Sequence, residues 1–383
     1  MEGEALEILA TADDSATDGT APMIAYYRAY IQKDGGELYS AAAQVCPDYC
    51  FPSRLEDIQV LRSAPANDAR AAYYLGNLFY DRRRYPDAIE QWRRAVRLEP
   101  GNAVALRNLG IAAFNAEHDA AEAQACYDRA ITQSPDDARL WYERDQLWKR
   151  IGVDSKKRLS ALRKRPDLVL KRDDLTLEYC ELLNEAEHWQ AAENILDSRQ
   201  FQPWEGGESM ALGVFTRTQL GLGHQALGLG DAVRAKHHFY RAAFPPQNLG
   251  EARHMLANAS DLWLACGDAA SALGESDEAI KWWRKAAEFK GDFQEMAVQP
   301  YSELTYYQAV ALGRLGRTAD SQKLLKELKE YAERLLVTPA KIDYFATSLP
   351  TMLLFDDDLQ ARQDEKAKRI LSQIHWAGGL QSA

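Results

Sequence analysis

ARAAYYLGNLFYDRRRYPDAIEQWRRAVRLEPGN, residues 69–102, decides the fold. Apolar side chains recur at helical spacing in two blocks, Tyr74 to Tyr80 and Ala88 to Leu98, with the polar Asp81-Arg82-Arg83-Arg84 between them. Pro86 stands near the start of the second block, where a missing N–H costs nothing, and Pro100-Gly101 ends it. The stretch therefore predicts two helices joined by a tight turn. For these to pack antiparallel their axes must approach closely, and small residues permit it. Gly76 is expected to face Ala88, with Ala95 turned toward the next pair and Leu75, Tyr85 and Trp92 filling the space between. A bulky residue at Ala88 should overpack the contact at a cost of about 1–3 kcal/mol.

The unit recurs along the chain. A second begins at Ala103 and keeps Leu109-Gly110, Ala123, Tyr127, Ala130 and Pro135, with one residue added in its turn. A third begins at Ala138 with Trp141, and its second helix is short and very basic. Tyr179-Cys180, Trp189 and Ala192 mark a faint fourth, with Pro203 one place early. The fifth is clear, with Leu222-Gly223, Gly230, Ala235, Phe239 and Ala242, and so is the sixth, with Trp263, Cys266-Gly267, Gly274, Ala279, Trp283 and Ala286. A degenerate seventh runs from Ser302 through Gly316 to Ser321, Leu325 and Leu328. Met23–Ala43 reads as one more helix pair and Arg54–Ser63 as an extra helix. Strand-like alternation is absent, and stacked pairs bury a continuous core that no single pair could form alone.

Leu75-Gly76, Ala88, Trp92, Ala95 and Pro100 resemble the marks of the tetratricopeptide repeat; of that pattern only the early aromatic is missing, replaced by Ala72. The resemblance implies an all-α fold, a right-handed superhelical solenoid of tetratricopeptide-like helix pairs. Longer strings, among them CPDYCFPSRLEDIQVL (46–61), NLGEARHMLANASDLWLACGDA (248–269) and KGDFQEMAVQPYSELTYYQAVALGRLGR (290–317), resemble the C-terminal helical region of a family of large bacterial proteins. In that family a β-rich, aldose-epimerase-like domain of unknown function precedes the repeat array. The resemblance implies that this chain is the helical half, a truncated or split product whose β-rich partner is encoded upstream. The organisation expected is an N-terminal helix pair and extra helix over 1–68, regular repeats over 69–150 and irregular basic pairs over 151–203. Repeat-like pairs follow over 204–336 and capping helices over 337–383. A bend or lobe boundary is expected near Ile151–Asp174, where the repeat is most broken.

Composition narrows the function classes. With 46% apolar and 27% charged residues in 383, the chain has an ordinary soluble composition, and 23 glycines with 14 prolines exclude collagen-like and low-complexity classes. Its 46 basic against 57 acidic residues leave −11, which argues against a nucleic-acid module. Five scattered cysteines read as reduced thiols. The acidic start, MEGEALEILATADDSATDG, has neither the basic nor the apolar part of a secretory signal. No apolar run is long enough to span a membrane, and the expected location is cytoplasmic.

Motifs for chemistry are sparse. His118, His188, His224, His237, His238, His254 and His375 stand without the Cys or acidic neighbours of a zinc site; His224, His237 and His238 share the fifth unit. Cys46 and Cys50, in CPDYC, have the wrong spacing for a redox or zinc knuckle and read as loop thiols. There is no GxSxG elbow and no phosphate loop, since the glycines of LGLGHQALGLGD (222–231) serve helix contacts and a turn. Asp356-Asp357-Asp358 reads as a helix start favoured by the macrodipole, with Pro350 before it. The chain is therefore read as no enzyme, with no cofactor and no metal. One basic run stands out: Lys149, Arg150, Lys156, Lys157, Arg158, Arg163, Lys164, Arg165, Lys171 and Arg172 against Asp154 and Asp167. It is either an anionic docking patch, for acidic peptide, RNA or the missing domain, or a solvated pair of helices neutralised by neighbours. The second is the plainer reading.

What remains is a groove. By resemblance the first helix of each pair lines the concave side, which places Arg70, Tyr73, Asn77, Tyr80 and Asp81 there, with Tyr74 beside them, then Val104, Arg107, Asn108 and Ile111, then Arg139, Tyr142 and Glu143. Some family members clamp a peptide carboxylate at such positions. Asn77 and Asn108 match that pattern and Arg139 stands in for Lys, whereas Tyr73 departs and Glu143 would repel a carboxylate. The expected function is a non-catalytic protein–protein interaction scaffold that binds a peptide or partner domain through Arg70, Tyr73, Asn77, Tyr80, Arg107, Asn108, Arg139 and Tyr142. The alternative is a helical accessory region of a larger carbohydrate-related enzyme.

Overall fold

The computed structural model describes residues 2–11, 19–33, 36–204, 206–294, 297–341 and 354–380. The chain is an all-α repeat solenoid built of helix hairpins. It divides into two compact units, Met1–Gly152 and Val153–Ala383. The division falls inside the basic, poorly repeating stretch, between the first and second helices of the third sequence unit.

In the first unit α1 (Glu2–Ala10) precedes the pair α2 (Ala21–Gln32) and α3 (Glu37–Gln44), and the short α4 (Leu55–Arg62) leads into the regular repeats. These are α5 (Ala69–Asp81) with α6 (Tyr85–Leu98), α7 (Ala103–Asn115) with α8 (Ala120–Gln133), and the single helix α9 (Ala138–Arg150). The first helix of each repeat starts on an Asx cap. Asp68 accepts from Ala71 N at 2.8 Å, Asn102 from Ala105 N at 2.9 Å and Asp137 from Arg139 N at 2.9 Å, each relieving an orphan donor of the first turn.

Inside the α5–α6 and α7–α8 hairpins the close approach is made by glycine against an aromatic ring. A Cβ added at Gly76 would lie 2.3 Å from Trp92, and one at Gly110 2.8 Å from Tyr127. The nearest neighbour of Gly76 is the Trp92 ring, whose indole lies across the bare backbone. The hairpins turn through a residue in the left-handed region, Arg83 (φ 56°) and His118 (φ 54°).

The second unit opens with α10 (Ser155–Arg163) and α11 (Pro166–Val169), then α12 (Asp173–Glu185) with α13 (Trp189–Asp197). Next come α14 (Met210–Gly228) with α15 (Ala232–Ala243), α16 (Ser260–Ala272) with α17 (Ser276–Glu288), α18 (Thr305–Arg314) with α19 (Thr318–Val337), and α20 (Leu359–Leu380). The same glycine contacts return: a Cβ at Gly223 would lie 2.2 Å from Phe239 and one at Gly267 2.4 Å from Trp283. The turns of these later hairpins use glycine, Gly230, Gly274 and Gly316, at φ 77°, 76° and 75°.

Two features depart from the expected pure helix array. The connections after α15 and α17 are long, and the second carries an antiparallel hairpin, β1 (Asp292–Gln294) and β2 (Ala297–Gln299), which pairs Phe293 with Val298. Strands of three residues are too short to leave a period-2 signal. Leu256 O accepts from Phe293 N at 3.1 Å, so the two connections meet. At the C-terminal end α19 and α20 bury Leu328, Ala332, Ala367 and Ile370 together. Asp358 caps α20 through Ala361 N at 2.9 Å, as a helix start requires. Pro350 lies outside the described residues.

Candidate functional site

The residues expected to line a groove in the first unit are brought together, and they are bonded to one another. On α5, Asn77 Oδ1 accepts the indole N–H of Trp92 at 3.0 Å and the amide of Asn108 at 3.1 Å. On α7, Arg107 Nη1 donates to Asn108 Oδ1 at 3.1 Å. Its Nε and Nη2 reach across to Glu143 of α9 at 2.6 and 2.7 Å, a bidentate pair. Arg139 Nε donates to the same carboxylate at 2.7 Å, and the Tyr127 hydroxyl donates to it at 3.1 Å. A polar ladder thus runs Trp92–Asn77–Asn108–Arg107–Glu143 across three successive first helices.

The electrostatics follow from burial. Glu143 is only 4% exposed. Burial alone would push its carboxyl up, but the hydrogen bonds and charges of Arg107 and Arg139 overcome this and hold it below the ordinary glutamate value. Burial works against the Arg107 cation too, and Glu143 reverses it, so the guanidinium stays charged. Burial first, and then the charge of Glu143, push the Tyr127 phenol well above its usual range. Glu143, expected to repel a bound carboxylate, is instead the hub that neutralises two arginines. The reason is distance: Arg107 sits 36 positions before it, and only the stacking of two repeats joins them.

The eight expected groove residues therefore separate into two groups. Asn77, Asn108 and Arg107 are committed to the ladder. Tyr80 packs its ring 5.3 Å from Trp92 and 5.0 Å from Tyr85. Arg139 keeps 55% of its side chain exposed while Glu143 holds its Nε, so its guanidinium is oriented but reachable. Tyr73 and Tyr142 are half-buried, Tyr73 lying 5.5 Å from the Tyr74 ring. Arg70 borders a cleft of about 350 Å³ with Ser40, Gln44, Asn67 and Glu99, its Nη2 3.8 Å from the Glu99 carboxylate. Ile111 is buried, so it does not reach this face, whereas Val104 is half exposed.

The second unit has a hub of its own. Glu193 on α13 accepts from Gln190 at 2.7 Å, Gln219 at 2.9 Å and Arg241 at 2.5 Å. Burial opposes its charge, and these partners still bring it below the ordinary glutamate value. Gln219 Oε1 faces His238 Nδ1 at 2.8 Å, and burial holds His238 below the usual histidine value.

The other sequence candidates fall apart as sites. His224 packs on Phe239 and His237 on His238, and among the described residues no three His, Cys, Asp or Glu side chains gather as a metal site. Cys50, Cys126, Cys180 and Cys266 are buried and Cys46 exposed, all as free thiols. Burial pushes Cys50 up to about 11. In the basic run Arg158 is buried against Glu178 at 2.5 Å, Arg165 pairs with Asp167 at 2.8 Å and Arg172 with Asp174 at 2.6 Å. Lys156, Arg163, Lys164 and Lys171 remain at the surface.

No helix among the described residues is long and apolar enough to cross a membrane. The family model of the tetratricopeptide repeat matches residues 58–103 and 73–138. Among solved structures, the chain is similar to the MamA protein at 13% identity, covering 57% of this chain and 90% of that one with a TM-score of 0.21. It is similar to PilF of Pseudomonas aeruginosa at 16% identity, covering 70% and 91% with a TM-score of 0.26. The helices that carry most of the ladder, α5 to α8, lie in the segment that the tetratricopeptide-repeat model matches.

Proposed function

We propose that the chain is a non-catalytic interaction module that holds a peptide or partner domain on the face formed by α5, α7 and α9. Tetratricopeptide repeats generally mediate protein–protein contacts. The observation that carries the reading is the presentation of Arg139. A buried carboxylate fixes its Nε while more than half of the side chain stays in solvent, so a cation is pre-oriented on a face whose floor is already satisfied. Tyr73 and Tyr142 supply amphipathic contact area on the same helices, and Arg70 continues the face into the polar cleft beside Glu99.

The ladder decides how the reading is tested. Asn77, Asn108 and Arg107 hold the repeats, so changing them would report on folding. The informative variant changes Tyr73, Arg139 and Tyr142 to Ala. Affinity capture with the wild-type chain, followed by titration of the captured protein against the variant, should show binding lost while helicity is retained and the melting temperature falls only by what the loss of the Arg139–Glu143 hydrogen bond accounts for. Equal binding by both would remove the inner face from the function.

A further inference from the structure

The turn edge of the first unit carries a patch that the ladder does not use. Tyr49 and Phe51, on the loop before α4, and Leu55, the first residue of α4, are 79%, 75% and 75% exposed, three large apolar side chains left in water within seven residues. Tyr49 is also at φ 60°, a conformation strained for an aromatic residue. Gly19 lies so close that a Cβ there would come 1.9 Å from the Tyr49 carbonyl, so the loop backbone is packed while its side chains project.

Arginines rim this loop. Arg82 donates to the Ser53 carbonyl and so ties the loop to the α5–α6 turn. Arg62 and Arg84 both lie over the Phe79 ring, at 5.6 and 4.8 Å from its centre. Arg83 is exposed at the left-handed position of the turn, where the hairpins of α14, α16 and α18 have glycine. Arg84 pairs with Asp87 at 2.9 Å and Arg82 with Asp81 at 3.5 Å, and among the described residues Arg62 and Arg83 make no ion pair.

We propose that this edge is a second interaction surface, which docks an acidic segment of a protein partner that also carries apolar side chains. The partner's carboxylates would pair with Arg62 and Arg83, and its apolar groups would cover Tyr49, Phe51 and Leu55. Tyrosine, phenylalanine and arginine are the residues that dominate such contacts. Anionic lipid fits less well. Asp48, Glu56, Asp81 and Asp87 stand among the arginines, so the summed field is nearly neutral, and a bilayer reads the sum. A carboxylate side chain reads one guanidinium at a time. The acidic balance of the whole chain does not oppose this, because charges beyond about 8 Å are screened at physiological salt.

The test uses the full chain and two synthetic amphipathic peptides, one of Glu with Leu and Phe, the other with Lys in place of every Glu. Titration should show the acidic peptide binding and the basic one not. Arg62→Glu with Arg83→Glu should weaken binding by roughly tenfold or more, as should Phe51→Ser. Phe51→Trp should retain it, and added salt should weaken it. The variant at Tyr73, Arg139 and Tyr142 should bind the acidic peptide as the wild type does, which separates this surface from the inner face. All the changed edge residues are exposed, and unchanged thermal melts confirm the fold. Equal binding of both peptides, or full binding by the Arg62/Arg83 variant, would overturn the proposal. So would attachment to phosphatidylserine vesicles by a chain that ignores the acidic peptide.

Discussion

Glu143 and Glu193 are two buried carboxylates that hold neighbouring helices together, one in each unit, and they are held differently. Glu143 answers to two arginines and a tyrosine, so its site is an ion triad built across repeats. Glu193 answers to two amides and Arg241, with a neutral histidine one bond further out. The first hub is insensitive to pH until the carboxylate itself protonates. The second is joined to a histidine that burial holds neutral, and which takes up a proton only below the ordinary histidine value. The same fold logic, a carboxylate receiving donors from the next hairpin, thus gives the two units different sensitivities.

The largest expected difference is in what the hubs cost to break. Glu143→Gln leaves Arg107 buried without its charge partner and should destabilise the first unit by about 3–5 kcal/mol. Glu193→Gln keeps hydrogen-bonding partners in Gln190 and Gln219 and should cost about 1–3 kcal/mol. Urea unfolding with fluorescence checks both, and equal costs would erase the contrast. Next comes the packing shared by both units. Gly76→Ala and Gly267→Ala each drive a methyl into an indole, Trp92 or Trp283, and should each lose about 1–3 kcal/mol. Similar losses on calorimetry would show that the repeats of the two units are built alike even though their hubs differ.

A smaller contrast lies in the turns. Gly274→Ala puts a Cβ into the left-handed region and should cost about 1–2 kcal/mol, whereas Arg83→Gly relieves that strain and should leave stability unchanged or raised by up to about 1 kcal/mol. Melting temperatures report the sign. The smallest effect is with pH. Burial holds His224 and His238 below the ordinary histidine value, so the unfolded chain takes up protons first as pH falls. The second unit therefore loses stability as pH drops through 6.5 toward the folded values. Glu143 is held below its usual 4.5, so its contribution is full above that pH and is lost only as pH falls toward the folded value. Hydrogen exchange corrected for intrinsic rates should show α14 and α15 losing protection between about pH 7 and 5.5 while α5 and α7 keep theirs.

Four of the hairpins were legible in the sequence because each needs one bare backbone position, and glycine sixteen or seventeen residues before an aromatic marks it: Gly76 and Trp92, Gly110 and Tyr127, Gly223 and Phe239, Gly267 and Trp283. The helix starts were legible too, though by a signal left unread, the Asx residue two places after Pro100 and Pro135. The expected groove positions fall on α5, α7 and α9, but the bonds they make were not visible. Glu143 and Arg107 touch only after two hairpins stack, and no local pattern carries that distance. Part of the basic run was readable, since Arg165–Asp167 and Arg172–Asp174 are two residues apart, whereas the burial of Arg158 on Glu178 needed the fold. The turns at Arg83 and His118 had no glycine to announce them.

The central claim is that the Arg107–Glu143 pair is structural and leaves the exposed groups above it to a ligand. A double-mutant cycle of Arg107→Met and Glu143→Gln in urea unfolding tests it most directly. The account predicts that each single change is costly and that the double change costs well below their sum, a coupling of about 1.5 kcal/mol or more. Additive, near-zero costs would mean that the pair does not hold the repeats, and that its charges stand ready for a ligand instead.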